Sequence, residues 1–220
     1  MTGPTYYSVT ARLGSVGGNP SGAEAAFSST MNLWLPPQSF VPVWDGVSIV
    51  NMTWAHPSYG QPAYYQISRG VAASTVSPLV TLGGGVLSWA DGAPNRGAFN
   101  TYGVRAGLNA GLAGSTQVMI PIPAANPVGV SLTDGTPSGG LHFVNLNWSH
   151  PSGLRTGYEV VFTDNGVDGS PISLSASSTS TQLLLPGFPH GTHLVQARIR
   201  TLSGAGPSSF TYSNFVSTTN

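Results

Sequence analysis

One pattern of alternating residues occurs three times in the sequence, and it restricts the chain to a β-rich fold. Residues 7–13 read YSVTARL, residues 102–108 read YGVRAGL and residues 193–199 read HLVQARI. Apolar residues at every second position indicate a strand with one buried face. A segment rich in Gly and Ser follows each copy, and a second apolar run follows that segment. We therefore interpret each copy as a β-hairpin.

A second pattern repeats at nearly the same interval. Residues 50–57 read VNMTWAHP and residues 144–151 read VNLNWSHP. Alternation places Trp54 and Trp148 on the buried faces of their strands, and the proline ends each strand. Both patterns recur after roughly 90 residues, which is the length of one small domain rather than of one solenoid repeat.

The repeat interval divides the chain into three parts. The double proline at positions 36 and 37 cannot donate to a strand ladder, and it marks the first boundary. We predict an N-terminal β-hairpin segment at residues 1–36, followed by two domains at residues 37–123 and 124–220. The fold class is all-β, because no uninterrupted stretch has apolar residues at helical spacing.

Charged residues are scarce in this chain. They make up 6% of the sequence, all seven cations are arginine, and the formal net charge is zero, whereas ordinary soluble domains carry roughly 25% charged residues. A freely diffusing protein usually keeps its net charge away from zero, so this composition suits a subunit that is permanently packed into an assembly. A GC-rich genome is the alternative explanation for the missing lysine, but it does not explain the scarcity of acids.

Several classes of protein are excluded by composition. No basic stripe is present to release counterions from nucleic acid, and the absence of cysteine excludes disulfides and thiolate metal sites. No window approaches the ~18 apolar residues of a membrane span. The N-terminal residues have neither the basic nor the apolar region of a secretion signal. We therefore expect synthesis in a cytoplasm, with any export only as part of a particle.

Over residues 37–220 the order of these patterns resembles tandem fibronectin type III domains. That family has Trp and Pro in and after strand B, Tyr in strand C, and a Tyr-x-Val-x-Ala strand F. The resemblance implies two β-sandwiches whose cores contain the matching aromatic positions. Those positions are Trp54, Tyr65 and Tyr102 in the first copy, and Trp148, Tyr158 and His193 in the second.

His193 departs from the family pattern, which has tyrosine at this position. The hydroxyl of the corner tyrosine bonds to backbone a few residues upstream. In the second copy, the imidazole must make this bond or the bond is lost.

By the same alignment, residues 1–36 correspond to strands F and G of a domain whose first five strands are missing. A lone hairpin is marginal in water, so this segment needs a partner surface. Either the domain at residues 37–123 covers it, or another chain supplies the missing strands. The candidate assembly interface is its apolar side, formed by Tyr7, Val9, Ala11, Leu13, Phe27, Leu33 and Trp34.

The remaining polar residues form no recognisable catalytic or metal-binding pattern. His56 and His150 occupy equivalent positions in the two copies, so they should lie one domain apart and cap loops rather than share an ion. Asp164 and Asp168 are the closest pair of acids, and they flank the turn dipeptide at residues 165–166. Turn chemistry explains them better than weak calcium binding. We predict no enzymatic activity, no cofactor and no metal.

The resemblance also implies a non-enzymatic function. Tandem domains of this family are common in bacteriophage structural proteins, where they act as spacers and cell-surface contacts. We expect a virion protein, either a minor tail or a surface-decorating subunit, that is anchored by residues 1–36. Its expected partners are neighbouring copies or a tail or capsid protein, and a host cell-surface glycan.

The alternative is an accessory carbohydrate-binding module, which would present exposed Trp or Tyr on one face. Three tryptophans lie outside the repeated patterns. A Trp near a proline-containing linker is expected to pack between two domains and hold them together rather than to bind sugar. These residues are Trp34, Trp44 and Trp89.

Overall fold

The computed structural model describes most of the chain after the N-terminal segment. All regular structure in the described part consists of strands and turns, and these sixteen strands form four antiparallel sheets. Within that part, no helix is long and apolar enough to cross a membrane. The described ranges are 35–58, 61–71, 76–108, 111–135, 142–185 and 192–219.

Residues 38–122, here called the first sandwich, contain seven strands in two sheets. In chain order they are β1 (Gln38–Trp44), β2 (Val50–Ala55), β3 (Tyr64–Val71), β4 (Ser77–Gly83), β5 (Ser88–Asp91), β6 (Ala98–Leu108) and β7 (Gly111–Ile122). One sheet has the order β1-β2-β5, and the other has the order β4-β3-β6-β7. Their inward side chains pack into one apolar core.

Residues 128–219, here called the second sandwich, contain nine strands. In chain order they are β8 (Val128–Asp134), β9 (His142–Ser149), β10 (Gly157–Asp164), β11 (Val167–Asp168), β12 (Ile172–Ser175), β13 (Ser180–Leu185), β14 (Thr192–Leu202), β15 (Thr211–Tyr212) and β16 (Val216–Thr219). One sheet has the order β13-β9-β8. The other is built on β11-β10-β14-β15, with β12 also paired to β10 and β16 to β14. A separate apolar core lies between these sheets.

The period of the sequence explains which face of each strand is buried. In β2, Val50, Met52 and Trp54 are buried, whereas Asn51 and Thr53 are exposed. β9 alternates in the same way. Since burying one large apolar side chain contributes roughly 1.5–3 kcal/mol, a one-residue shift in register would exchange the two faces and lose this stabilisation.

The hairpins predicted from the repeated pattern are present where the structure describes them, but one turn is shorter than predicted. Leu108 on β6 pairs directly with Gly111 on β7. The glycine-containing stretch at residues 111–115 is therefore strand and not loop, because a paired partner overrides its weak strand propensity. The copy at residues 7–13 lies outside the described residues.

The third hairpin returns in two short pieces. β15 and β16 both pair with β14, and residues 213–215 separate them. The Ser213 hydroxyl accepts a hydrogen bond from the backbone N–H of Ala197 at 2.9 Å. The hydroxyl takes the place of a backbone carbonyl, so the buried N–H of Ala197 keeps a hydrogen-bond acceptor where the two strands are interrupted.

The turn predicted between Asp164 and Asp168 is a two-residue hairpin turn. Asn165 has φ +49° and Gly166 has φ +82°, and Thr163 pairs with Asp168 across it. Two consecutive positive φ values are characteristic of a turn that follows the strand twist, for which Asn-Gly is the favoured sequence.

The two sandwiches contact each other at Arg96. Its guanidinium lies over the ring of Trp44 at 5.3 Å and donates to the carbonyl of Val47, while its own carbonyl accepts from the N–H of Leu154 at 3.0 Å. At Gly97, which has φ +74°, an added Cβ would lie 1.8 Å from the Leu154 carbonyl oxygen. Trp44, which the sequence left hard to place, is the last residue of β1 and packs on the first core.

Candidate functional site

The same three side chains meet in each sandwich. In the first, Trp54 contacts Tyr65 edge to face with ring centroids 5.4 Å apart, and the Tyr65 hydroxyl lies 2.8 Å from His56 Nδ1. Tyr65 is fully buried, so this hydrogen bond satisfies a hydroxyl that water cannot reach. The prediction that His56 caps a loop is wrong, because its ring instead stacks on and bonds to tyrosine.

The second sandwich repeats this geometry. Trp148 and Tyr158 have centroids 5.3 Å apart, and the Tyr158 hydroxyl lies 2.7 Å from His150 Nδ1. The loop-capping prediction for His150 is wrong for the same reason. In both copies the histidine follows the tryptophan by two residues, and the tyrosine comes eight or nine residues later. This spacing was the available sequence signal for the contact.

A buried ion pair takes the place of a simple tyrosine corner in the first sandwich. The Tyr102 hydroxyl donates to Asp91 Oδ2 at 2.7 Å, and Arg69 Nη1 donates to the same oxygen at 2.6 Å. Asp91 Oδ1 accepts from the backbone N–H of Ala93 at 3.0 Å. Both carboxylate oxygens therefore have partners at the end of the core.

Three tyrosine hydroxyls have altered acidity. Burial raises the pKa of Tyr65 and of Tyr158, with the Arg155 charge partly opposing the effect at Tyr158. At Tyr102, burial raises the pKa further together with the hydrogen bond and charge of Asp91. Each phenol is therefore held in its neutral form.

We expect the folding stability to fall as the pH rises above about 10, where tyrosines of the unfolded chain ionise. The folded-state pKa values of Tyr65, Tyr102 and Tyr158 are raised. Their contribution is therefore complete below the unfolded pKa and is lost as the pH rises toward the folded pKa. Urea midpoints between about pH 8 and 11, with tyrosinate absorbance, measure the effect. Ionisation of all tyrosines near their ordinary pKa in the folded state, without loss of stability, would contradict it.

His193 contacts an acid on the neighbouring strand. Its Nδ1 lies 2.7 Å from Asp164 Oδ2, so the imidazole has a carboxylate partner at the position of the family's corner tyrosine. The side chain of Asn165 accepts from the backbone N–H of Leu194 at 3.0 Å and ties the turn to β14. The corner itself, at residues 186–191, lies outside the described residues.

Asp168 is also tied to protein partners. Oδ1 accepts from the Thr163 hydroxyl at 2.7 Å, and Oδ2 accepts from Arg198 Nη2 at 2.7 Å. The Thr163 hydrogen bond and then the Arg198 contact lower the pKa of Asp168. Both of its oxygens are thus engaged within the hairpin, and no group of three His, Asp or Glu that could hold a metal occurs in the described part of the chain.

The structure places the residues predicted to form the core inside the two sandwiches. Trp54 and Trp148 are 4% exposed, Tyr65, Tyr102 and Tyr158 are 0% exposed, and His193 is 7% exposed. The residues predicted to form the assembly interface all lie outside the described residues. They are Tyr7, Val9, Ala11, Leu13, Phe27, Leu33 and Trp34.

The outward faces of the two three-stranded sheets carry no charged side chain. On the sheet β1-β2-β5 they present small polar and aliphatic groups, and on β13-β9-β8 mainly hydroxyls and amides. The Gln182 amide donates to the Asn145 amide oxygen at 2.8 Å. Sequence analysis missed this surface, although alternate Ser, Thr and Asn within the strands signalled it. Its exposed members include Val41, Val43, Asn51, Thr53, Ser88, Ala90, Ser131, Thr133, Asn147, Gln182 and Leu184.

The charged strand residues of the second sandwich are concentrated on the opposite sheet, and they are paired. Arg198 bonds Asp168 and Arg200 bonds Glu159. Both guanidinium groups also lie over the ring of Phe210, at 5.2 and 4.6 Å. Arginine stacks on aromatic faces while keeping its ion pairs, so this sheet presents little uncompensated charge.

The architecture matches a known arrangement in solved structures. A two-domain fibronectin type III segment of chicken tenascin superposes with a TM-score of 0.66 at 16% identity, covering 83% of this chain and 99% of that one. This chain has the fold of tandem fibronectin type III domains. The chicken CNTN1 FN1–FN3 domains align with a TM-score of 0.41 at 14% identity, covering 83% of this chain and 66% of that one. No family model matches the sequence, and no curated protein sequence matches it.

Three acids of the two fibronectin type III sandwiches are held by other side chains. Asp91 and Asp168 pair with arginine, and Asp164 contacts His193. The Trp and Tyr rings of the repeated clusters lie in the cores, whereas His56 is half-buried and His150 is exposed. The uncharged sheet faces and the strand edges are among the features that remain open to other molecules.

Proposed function

We propose that this chain is a non-enzymatic structural protein of a bacteriophage particle, a minor tail or surface-decorating subunit anchored by residues 1–36. The observation that carries the proposal is the absence of charged side chains from the outward faces of β1-β2-β5 and β13-β9-β8. Soluble domains usually carry roughly 25–35% charged residues on their surfaces. A subunit surrounded by other subunits does not need them.

The chemistry of these faces suits repeated weak contacts. Hydroxyl and amide groups both donate and accept hydrogen bonds, so they pair with neighbouring subunits in many orientations. Each such contact contributes little binding free energy. Several contacts made at once give a much higher overall affinity, because the first contact holds the others at a high effective concentration. The zero net charge of the chain removes long-range repulsion between copies.

The phage setting and the virion location rest on the family resemblance and the charge-poor composition. In this proposal, the two sandwiches project from or pave the particle surface. The partners are neighbouring copies or a tail or capsid protein, and a host cell-surface glycan is the outer ligand.

Deleting residues 1–36 should leave both sandwiches folded and prevent incorporation into the particle. β1 begins at Gln38, and the Pro37 carbonyl accepts a hydrogen bond from the Thr116 hydroxyl at 2.8 Å. All strands of both described sandwiches therefore lie after residue 36. Burying its larger apolar side chains would contribute roughly 1.5–3 kcal/mol each to anchoring. Particle occupancy and the near-ultraviolet circular dichroism of the free protein measure the two effects.

A full-length variant controls for the loss of chain length. Replacing Tyr7, Val9 and Leu13 by serine should reproduce the loss of incorporation, whereas replacing Ser8 and Thr10 by alanine should not, since those side chains lie on the other face of the predicted strand. Incorporation of the truncated protein at full occupancy would refute the anchor.

A carbohydrate-binding module is the second candidate, and one observation favours it. Tyr212 and Phe215 are 59% and 60% exposed on neighbouring positions of the second sandwich, and exposed aromatic rings are suited to stacking on sugars. The four described tryptophans instead pack into the cores. Affinity for host-surface polysaccharide that is lost when Tyr212 and Phe215 are both changed to alanine would favour this function, and absence of any affinity would remove it.

A further inference from the structure

β13 is an edge strand without the usual protection. Among the described residues it pairs with β9 alone, and its register runs without a break from Ser180 to Leu185. Its sequence, STQLLL, contains no charged residue, proline or glycine. Unpaired N–H and C=O groups along such an edge are a template for another strand.

Every other edge strand longer than four residues in the described part of the chain is interrupted. β1 contains Pro42 and a register shift, and β4 contains Pro78 and a shift. β7 contains Pro121 and a shift, and β8 contains a shift and ends in Asp134. These are the devices by which natural sheets prevent edge-to-edge pairing. Among these longer edges in the described part of the chain, β13 is the one that lacks them, which favours its pairing with another strand.

An apolar groove of about 440 Å³ lies beside this edge. It separates β13 from β11 and β12 of the opposite sheet, and its apolar lining includes Phe162, Val167, Ile172, Leu183 and Leu185. Val167 is 72% exposed there. A strand added to β13 would direct every second side chain into this groove, since side chains alternate across a strand.

We propose that β13 is the acceptor edge for residues 7–13 of a second copy of this chain. That segment alternates strictly, with Tyr7, Val9, Ala11 and Leu13 on one side, and its length of seven residues matches the six residues of β13. The added strand gains main-chain hydrogen bonds from the edge and apolar burial from the groove. This inference rests on the proposed anchoring function and identifies the surface that receives the anchor.

An unpaired acceptor beside the groove also favours this pairing. Asp164, which lines the groove, has its Oδ1 buried without a hydrogen-bond partner among the described residues. A buried carboxylate oxygen without a donor is unfavourable, and an incoming strand brings backbone N–H groups to this edge.

The other apolar run of the N-terminal segment is a poorer occupant. Residues 31–35 lead directly into Pro36 and Pro37, and Pro37 is held against the first sandwich by Thr116. Residues 7–13 lie more than 20 residues before that point, which is enough chain to reach a neighbour. Donation from one copy to the next is a head-to-tail contact, which builds rings or open filaments.

Cysteine cross-linking in the full chain tests the contact, because the sequence contains no cysteine. Thr10→Cys combined with Gln182→Cys should form covalent dimers and higher oligomers on mild oxidation, with Ser8→Cys and Arg12→Cys covering adjacent registers. The matched control combines Thr10→Cys with Ser88→Cys on the edge of β5. Cross-links within one chain, or no more oligomer than in the control, would overturn the proposal.

Charged substitutions on exposed positions test the edge without touching the core. Gln182→Lys with Leu184→Lys should weaken self-association about tenfold or more, because lysine on an edge opposes pairing. Asn147→Lys, on the same face but on the central strand β9, should not. An equal effect of Asn147→Lys would show that the sheet face is used instead of the edge, and would overturn the proposal.

The outcomes separate this inference from the proposed function. If the β13 variants enter particles normally while the 1–36 deletion does not, the acceptor edge is wrong and the anchor stands. If the deletion has no effect on particles, the anchoring function is wrong. Cross-linking of the purified chain then still decides whether copies pair through β13.

Discussion

Replacing Trp148 with alanine should lower the free energy of unfolding by about 3–5 kcal/mol. The indole is 4% exposed and contacts the ring of Tyr158 edge to face. Its removal leaves a cavity beside Val144 and Leu146, both of which are fully buried. Surrounding strands cannot close this space, because their positions are set by ladder hydrogen bonds.

Urea or thermal unfolding of the purified chain measures this effect. Tyr158→Phe is the matched control, because it keeps the ring and removes only the hydroxyl that bonds His150, and should cost about 1 kcal/mol. A reversible loss of less than about 1 kcal/mol in Trp148→Ala would show that this ring is not a core residue.

Replacing Asp91 with alanine should destabilise the first sandwich by about 3–5 kcal/mol. The side chains of Arg69 and Asp91 are 18% and 7% exposed. Without the carboxylate, the Arg69 guanidinium keeps its hydrogen bond to the Ala93 carbonyl but has no opposite charge beside it. The Tyr102 hydroxyl also loses its acceptor. Breaking one side of a buried pair leaves its partner uncompensated, which is more unfavourable than never having formed the pair.

Asp168→Ala is the control for this prediction, because Asp168 also pairs with an arginine but at the surface. It should have little effect on unfolding, since exposed pairs are screened by water. Chemical denaturation of both variants gives the comparison. Equal losses in Asp91→Ala and Asp168→Ala would mean that burial of the Arg69 pair does not matter.

In the repeated Trp–Tyr–His contact, the buried tryptophans could be predicted from sequence, but the partner of each histidine could not. Alternation placed Trp54 and Trp148 on buried faces correctly, because side-chain direction in a strand is a local property with a period of two. Alternation could not place His56 and His150, because each bonds to a tyrosine on the next strand. Tyr65 is the partner of His56, and Tyr158 is the partner of His150. The contact forms only once the two sheets face each other.

Residue propensities were least informative where the pairing of two strands determines the secondary structure. The glycine-containing residues 111–115 suggested a loop, but they are strand because they pair with β6. Trp44 and Trp89 were similarly difficult to place from sequence. Both lie in strands and pack on the first core, where the sheet β1-β2-β5 turns them inward.

Local patterns were enough to predict the all-β class, the tandem repeat and the buried face of the repeated strands, because alternation and turn residues act over a few positions. Which distant groups meet depends instead on how the strands pair and the sheets pack. Asp91 joins Arg69 from 22 residues away and Tyr102 from 11, and β13 is the outermost strand of its sheet among the described residues. Strand order depends on which chain segments pair across the sheets, and no local pattern encodes that choice.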